Sequence, residues 1–425
     1  MYFWYATNLY LFYFFTDVIG LTPAQAGQVF LISLVWDGVT DPVMGVVTDR
    51  VVARGVRYRH LMLGGGLPFC ASFVLLFRVP EAMAPFAYCL VTNLAFRTFW
   101  TMTYIPYTSM LTRITDDSTE RARIGGFKTV FIGLAKLPVA YLVLPLVGLI
   151  GAGDEAKGFF WTMSGLAMMG VLAFSGCAWL SPREQAPESG ATPNPGATAV
   201  LSNLKANSQF WIILVGLFFA SGSFGILMQS IIYVFKYVLV RPEDAKLAFT
   251  AIAIAGLTAV PVWMWIVGRT GNRFVWLTGC LFAVGALVTL YALPSPGTWV
   301  VTGLVFLAAS GIYGFLMPFL PMVADCVDFG ELKSGVRVEA LTFGLMSLGN
   351  KLSIGTAGWL LGVLQTRVGL EPNEAQTGAT RDGLLAIMTL TPAAGLSISA
   401  AVITLYRLSP ARHREVVHAL AQRRA

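Results

Sequence analysis

Ser181-Pro-Arg-Glu-Gln-Ala-Pro187-Glu-Ser-Gly-Ala-Thr-Pro193-Asn-Pro195-Gly opens the longest polar break in this chain, and the break runs on to Ser208. Its Pro, Gly, Ser and Thr content reads as a flexible linker. What lies on either side decides the fold. Apolar runs of spanning length fall at 1–16, 25–48, 61–79, 85–112, 125–149 and 158–180 before the break. They fall at 209–236, 246–268, 275–294, 298–323, 339–367 and 383–407 after it. A bilayer core needs roughly 20 apolar residues per helix. The 425 residues are 56% hydrophobic and only 12% charged, against about 25% charged in a soluble domain. The expected fold is an all-α, multi-pass integral membrane protein with twelve transmembrane helices. It divides into a six-helix bundle over 1–180, a linker over 181–208, a second six-helix bundle over 209–407, and a basic tail over 408–425.

The positive-inside rule orients these spans. One set of loops, with the tail, holds 19 of the 29 Lys and Arg, including Arg50, Arg54, Arg57, Arg59, Arg121, Arg123, Lys128, Arg273, Arg337, Arg412 and Arg414. The opposite set holds 7: Arg78, Lys157, Lys236, Arg241, Lys246, Arg367 and Arg381. The linker and both termini are therefore expected in the cytoplasm. The remaining Arg97, Lys136 and Lys351 fall within spans. The two halves echo each other. Pro106-Tyr107, Met110 and Asp116 recur at identical spacing as Pro318-Phe319, Met322 and Asp328. A six-plus-six repeat around a cytoplasmic linker is the organisation of major facilitator transporters.

Composition also excludes. The net charge of +7 does not mark a nucleic-acid binder, because the basic residues sit in short loops between apolar runs. The five cysteines are scattered without a Cys-x-x-Cys and read as small core residues. The three histidines, His60, His413 and His418, lie in loops and tail, so no His–carboxylate catalytic cluster is visible and an enzyme is not expected. The first residues, Met1-Tyr-Phe-Trp-Tyr, lack a basic n-region and are not a secretory signal. The run to Phe15 is short for a full span, so the first helix is expected to be truncated at its start, or the chain to begin inside it.

Within the second span, Val29 to Val47, stand two carboxylates: Trp36-Asp37-Gly-Val-Thr-Asp41-Pro42. A carboxylate at membrane depth costs several kcal/mol unless paired, hydrated or bound to a cation. Four residues apart, Asp37 and Asp41 share a helix face about 6 Å apart along the axis. Two readings stand: a structural ion pair with a base elsewhere, or a site for Na+, Li+ or H+. Hard cations take oxygen ligands, and Thr101 and Thr40 are the candidate hydroxyls. Matching the halves through Pro42 and Pro261 places Val260 and Gly256 opposite the two aspartates, so the ion chemistry is expected in the first half.

Lys351, central in the run from Thr342 to Leu364, is too far from either end to snorkel easily and is expected to pair with the aspartates when the cation is absent. Arg97, Thr101 and Tyr104 share one face of the fourth span. Arg97 either pairs with the aspartates or binds an anionic or polyhydroxylated solute. Asp49 and Arg50, where the second span meets the cytoplasm, suit a gate.

Together these residues resemble the glycoside–pentoside–hexuronide:cation symporter (melibiose permease-like) family of the major facilitator superfamily. The resemblance runs over nearly the whole chain. Its anchors are Thr16-Asp17-Val-Ile-Gly20-Leu, Trp36-Asp37-Gly-Val-Thr-Asp41-Pro42-Val-Met-Gly45, Ile105-Pro106-Tyr107 and Ala324-Asp325-Cys-Val-Asp328-Phe-Gly-Glu331-Leu-Lys-Ser-Gly-Val-Arg337-Val-Glu339. It implies a cation site of Asp37, Asp41, Thr101 and Lys351, and alternating access gated by Asp49, Arg50, Arg121, Asp325, Asp328 and Arg337. For the solute it points to Tyr104, Thr108 and Lys128, and Arg97, Trp100 and Tyr5 join them as candidates from their own places in the spans. Tyr104 and Thr108 stand where galactoside transporters of the family carry an aspartate and a tryptophan, which argues against a galactoside. The expected function is a monomeric Na+- or H+-coupled symporter of a sugar or glycoside in the bacterial inner membrane, in contact with lipid and without a cofactor. The alternative is a Na+-coupled symporter of a lysophospholipid or another amphiphilic or anionic solute.

Overall fold

The computed structural model describes residues 2–54, 56, 58–79, 84–110, 118–180, 203–336 and 338–424. All regular elements among them are helices. Two compact units emerge. One comprises Met1–Ser189 with Gly358–Gln376, the other Gly190–Ala357 with Thr377–Ala425.

The first unit contains α1 (residues 2–18), α2 (Pro23–Ala53), α3 (Tyr58–Leu76), α4 (Pro85–Met110), α5 (Ser118–Gly151) and α6 (Glu155–Leu180). α4 packs on α2 and α3, and α6 on α3 and α5. The core of this unit is aromatic. Phe3 meets Phe73 edge-on at 4.6 Å and Phe69 at 4.9 Å, and Phe77 stacks on Phe159 at 6.0 Å. In a bilayer, apolar burial alone does not drive helices together, so close packing must do it. Offset and edge-on ring pairs contribute about 0.5–1.5 kcal/mol each beyond burial.

The second unit contains α7 (Ser208–Tyr233), α8 (Ala245–Thr270), α9 (Asn272–Ala292), α10 (Thr298–Ser334), the larger part of α11 (Glu339–Arg367), α12 (Gly378–Ile403) and α13 (Pro410–Arg424). The fully buried Trp276 on α9 donates to Ser399 Oγ on α12 at 3.1 Å, and Ser399 donates to the Gly216 carbonyl on α7 at 2.8 Å. This relay ties three helices through groups that lipid could not satisfy. α9 and α10 approach until their backbones touch. A Cβ on Gly279 would lie 2.6 Å from the Gly311 carbonyl oxygen and 2.8 Å from Gly314 Cα. Only glycine allows that approach.

The first helix of each unit ends in the same way. α1 widens into a π turn over Phe14–Val18 and α7 is followed by one over Val234–Val238. Ile19 and Leu21 donate to the carbonyls of Phe14 and Phe15, both at 2.9 Å. Leu239 and Arg241 donate to those of Val234 and Phe235, at 2.9 and 2.8 Å. A positive φ follows each turn, +84° at Gly20 and +54° at Val240. The internal repeat expected from Pro106 and Pro318 thus extends to backbone hydrogen bonding. Val240 holds, at a cost, a conformation that glycine adopts freely.

Two stretches differ from expectation. The basic tail 408–425 contains a helix, because His413, Val416 and Leu420 recur at helical spacing and give α13 one inward face. The last residues of the expected linker are tied down. Asn203 donates to Ser334 Oγ and the Val336 carbonyl at 2.9 and 2.8 Å, and Asn207 donates to the Cys326 carbonyl at 2.8 Å. Asn207 also accepts from Phe210 N–H at 3.1 Å, capping α7.

Among the described residues, seven stretches are long and apolar enough to cross a membrane: Phe131–Gly151, Glu155–Cys177, Ser208–Val238, Pro242–Thr270, Asn272–Ala292, Thr298–Ser334 and Gly378–Ile403. Exposed large side chains, such as Leu149, Leu172 and Trp299, coat them. The helices that carry the paired aspartates and Arg97, α2 and α4, are not in that set.

Candidate cation and solute site

α2 and α4 are joined by two polar rungs. Arg97 Nη1 donates to Asp37 Oδ2 at 2.6 Å. One helical turn on, Thr101 Oγ1 donates to Asp41 Oδ1 at 2.7 Å. Residue numbers rise together across the rungs, so the helices run parallel here. The i, i+4 spacing of Asp37 and Asp41 meets the i, i+4 spacing of Arg97 and Thr101. A third bond, from Trp36 Nε1 to Thr98 Oγ1 at 2.8 Å, lies beside them.

The upper rung is incompletely satisfied. Asp37 is 1% exposed, and its second oxygen, Oδ1, has no hydrogen-bond partner; Arg97 Nε has none either. An unmet buried donor or acceptor costs about 1–3 kcal/mol, more for a charged group. The site therefore presents one orphan anionic acceptor and one orphan cationic donor, held together by a salt bridge. The acceptor, with the neighbouring Asp41 carboxylate and Thr101 hydroxyl, is an all-oxygen set of the kind a hard monovalent cation takes. The donor suits a hydroxyl or an acid group of a solute. Thr40, the other candidate hydroxyl, is turned back to the Trp36 carbonyl at 3.1 Å.

Aromatic rings surround Arg97 and continue along α4. The guanidinium lies 5.4 Å from the Trp4 ring centre. Trp4 lies 5.8 Å from Trp100, and Trp100 stacks on Tyr104 at 5.2 Å and 13°. Trp100 and Tyr104 line a cavity of about 440 Å3 with Tyr2, Thr103, Tyr107 and Phe131. Its polar groups are three phenols, one threonine and the Trp100 indole; the remaining walls are apolar. Phe131 is 66% exposed and opens that wall outward.

Of the residues expected to bind solute, Trp100 and Tyr104 line this cavity. Arg97 is engaged by Asp37. Tyr5 is buried beneath the Lys136 ammonium, 5.6 Å from its ring centre. The side chains of Thr108 and Lys128 lie outside the described residues, as do those of Asp49 and Arg121 and the whole of Arg337. Arg50 ends α2 in its last turn. Lys351 is half-buried on α11 in the second unit and, like Asp41, makes further interactions. Asp325 and Asp328 lie on α10, which continues as helix past the expected end of its span, and they flank His413 of α13. His413 Nε2 is 3.0 Å from Asp328 and 3.6 Å from Asp325.

Two buried amides, Asn93 and Gln229, escape the sequence reading. Asn93, one turn before Arg97 on the same face, is buried with an unpartnered Nδ2. A spacing of four through Asn93, Arg97 and Thr101 was the available signal. Gln229, deep in α7 of the second unit, has neither amide atom partnered. A single amide in an apolar run is a weak signal. His413 was read only as a tail residue.

A sequence profile for the family described as MFS/sugar transport protein matches residues 1–410. YagG of Escherichia coli (strain K12), a provisionally assigned glycoside/cation symporter, is 30% identical over 99% of this chain and 92% of its own. The isoprimeverose transporter of Lactiplantibacillus pentosus is 27% identical, over 94% and 84%. Among solved structures, a bacterial homologue of the human lysosomal transporter Spinster superposes with a TM-score of 0.70 at 16% identity, over 95% of this chain and 96% of that one. At that identity the match concerns the fold alone.

Proposed function

The chain belongs to the MFS/sugar transport protein family, and from that premise we propose that it is a Na+- or H+-coupled importer of a sugar or glycoside. The coarser description is secure: a solute:cation symporter, not an enzyme, and a multi-pass integral protein of the inner membrane with a major facilitator fold. The finer reading includes twelve spanning helices with both termini cytoplasmic, supported by the six-plus-six pattern and the bias of basic loops. It needs no cofactor and treats the protein as a working monomer embedded in lipid.

The orphan Oδ1 of Asp37 carries the coupling proposal. A cation that takes Asp37 Oδ1, the Asp41 carboxylate and the Thr101 hydroxyl competes with Arg97 for the Asp37 charge. Weakening that salt bridge frees Arg97 donors for solute hydroxyls. Cation and solute binding then reinforce each other, as linkage requires. Trp100 and Tyr104 offer flat faces for the C–H side of a sugar ring, and the phenol hydroxyls offer hydrogen bonds. The role assigned to Lys351 rests on the sequence.

A thermal-stability screen tests this reading. Neutral sugars and glycosides, uronides and lysolipids are added to the purified protein, with and without Na+ and at two pH values. A sugar or glycoside is expected to raise the unfolding temperature only when the coupling cation is present. No stabilisation by any sugar, or one indifferent to both Na+ and pH, would overturn it. The apolar wall at Phe131, Ile132 and Phe174 favours a second reading, an amphiphile with an acyl chain, and a shift confined to lysolipids would select it. For the solute so identified, Trp100→Ala is expected to raise KM about tenfold, the worth of a lost aromatic stack. Trp100→Phe should restore most of it, and the cation concentration for half-activation should not move.

A further inference from the structure

The second unit holds another cavity, of about 600 Å3. It lies among the start of α9, the end of α12 and α13, at the end of the unit where the basic loops gather. Arg273, Arg407 and Arg414 line it, against a single carboxylate, Asp325. That carboxylate faces His413, 3.6 Å away. Arg273 donates to the Thr404 carbonyl at 2.5 Å. Among the described residues, Arg407 and Arg414 have no carboxylate partner.

Two further features point inward. Gly271, at φ +87°, turns the chain so that α9 starts at the cavity, and no side chain caps its first N–H groups. The start of a 21-residue helix with uncapped N–H groups carries partial positive charge and attracts anions. Tyr406 is 1% exposed, lines the cavity, and its hydroxyl has no hydrogen-bond partner. A phenol keeps its proton at physiological pH and so remains a donor. The arginines, the Tyr406 hydroxyl and the open start of α9 thus offer donors against one carboxylate on the wall, and a buried phenol without an acceptor is costly.

We propose that this cavity binds a phosphate-bearing anion, held by Arg407, Arg414, the Tyr406 hydroxyl and the open start of α9. Phosphate oxygens match arginine forks and helix N-termini alike, and a dianion answers the excess positive charge better than a single carboxylate. The group comes either from a soluble phosphate compound or from the headgroup of an anionic phospholipid, for which Phe274 and Leu277 on the same wall give an apolar shoulder.

The test uses the full chain. In neutral detergent, inorganic phosphate is titrated against chloride at constant ionic strength and the unfolding temperature is followed. In parallel, the protein is reconstituted in phosphatidylcholine vesicles with and without phosphatidylglycerol. Saturable stabilisation is expected in at least one arm. Phosphate activity identifies a soluble source, and stabilisation by phosphatidylglycerol alone identifies a headgroup. Arg407→Gln/Arg414→Gln should weaken binding about tenfold or more. Tyr406→Phe, which removes one buried oxygen and no packing, should weaken it severalfold. Both arginines are surface-exposed, and an unchanged unfolding temperature without added anion checks that the double variant folds. No stabilisation in either arm, or stabilisation equal in wild type and both variants, overturns the proposal.

Discussion

Asp37→Asn is expected to cut cation-driven solute uptake in proteoliposomes by about 100-fold or more. Asp37 is 1% exposed and bound to Arg97 at 2.6 Å. The substitution removes the charge that a coupling cation needs. It also strands the Arg97 guanidinium in the interior, and breaking a buried pair from one side costs about 3–5 kcal/mol. Loss of fold is therefore the competing explanation for lost uptake. The Asp37→Asn/Arg97→Gln double variant separates the two. It leaves no unpaired charge on this rung, so its unfolding temperature should recover most of what the single variant loses. Its uptake should stay at background. Uptake that survives in the single variant, or returns in the double one, would remove Asp37 from the coupling site.

Gly279→Leu is expected to abolish folding, read as loss of the monodisperse peak in fluorescence-detected size exclusion. The first added carbon already meets the Gly311 carbonyl oxygen at 2.6 Å and Gly314 Cα at 2.8 Å. These are backbone atoms, so no rotamer relieves the contact, and α9 and α10 must separate. Gly279→Ala should cost about 1–3 kcal/mol, the range for overpacking, and lower the unfolding temperature measurably. Gly285, on the same helix, has nothing within 4 Å of the corresponding position. Gly285→Ala should therefore be neutral or slightly stabilising. Equal behaviour of the two alanine variants would show that the α9–α10 approach is looser than described.

Much of this was legible in residue spacing. Polar residues in apolar runs are rare, so Asp37, Asp41, Arg97 and Lys351 stand out without a structure. Helical periodicity places Asp37 with Asp41, and Arg97 with Thr101. Periodicity cannot say which helix neighbours which, so it leaves Arg97 between a carboxylate and a solute, and the α2–α4 rungs decide for the carboxylate. Asn93 belonged to the same periodic set and was passed over because amides are less conspicuous than charges. α13 was invisible as a helix because its inward face is only two aliphatic residues and a histidine in a run of arginines. That face has meaning only where α10 supplies the complement, with Asp325 and Asp328 beside His413. The shared π turns after the first helix of each half had no signal in residue type, since Gly20 and Val240 differ in every property except the backbone angle they adopt.

The α2–α4 rungs have one more consequence. Asp37, Asp41, Arg97 and Thr101 all ride on two parallel helices of one unit. If that unit turns as a body during the cycle, none of their mutual distances changes. On the proposed coupling, an ion seated there would be a passenger, carried with its seat rather than passed from hand to hand. What then decides the direction of travel is the difference between the two platforms: the concentrations of ion and solute waiting on each side, and the voltage, about 2.3 kcal/mol per charge for every 100 mV.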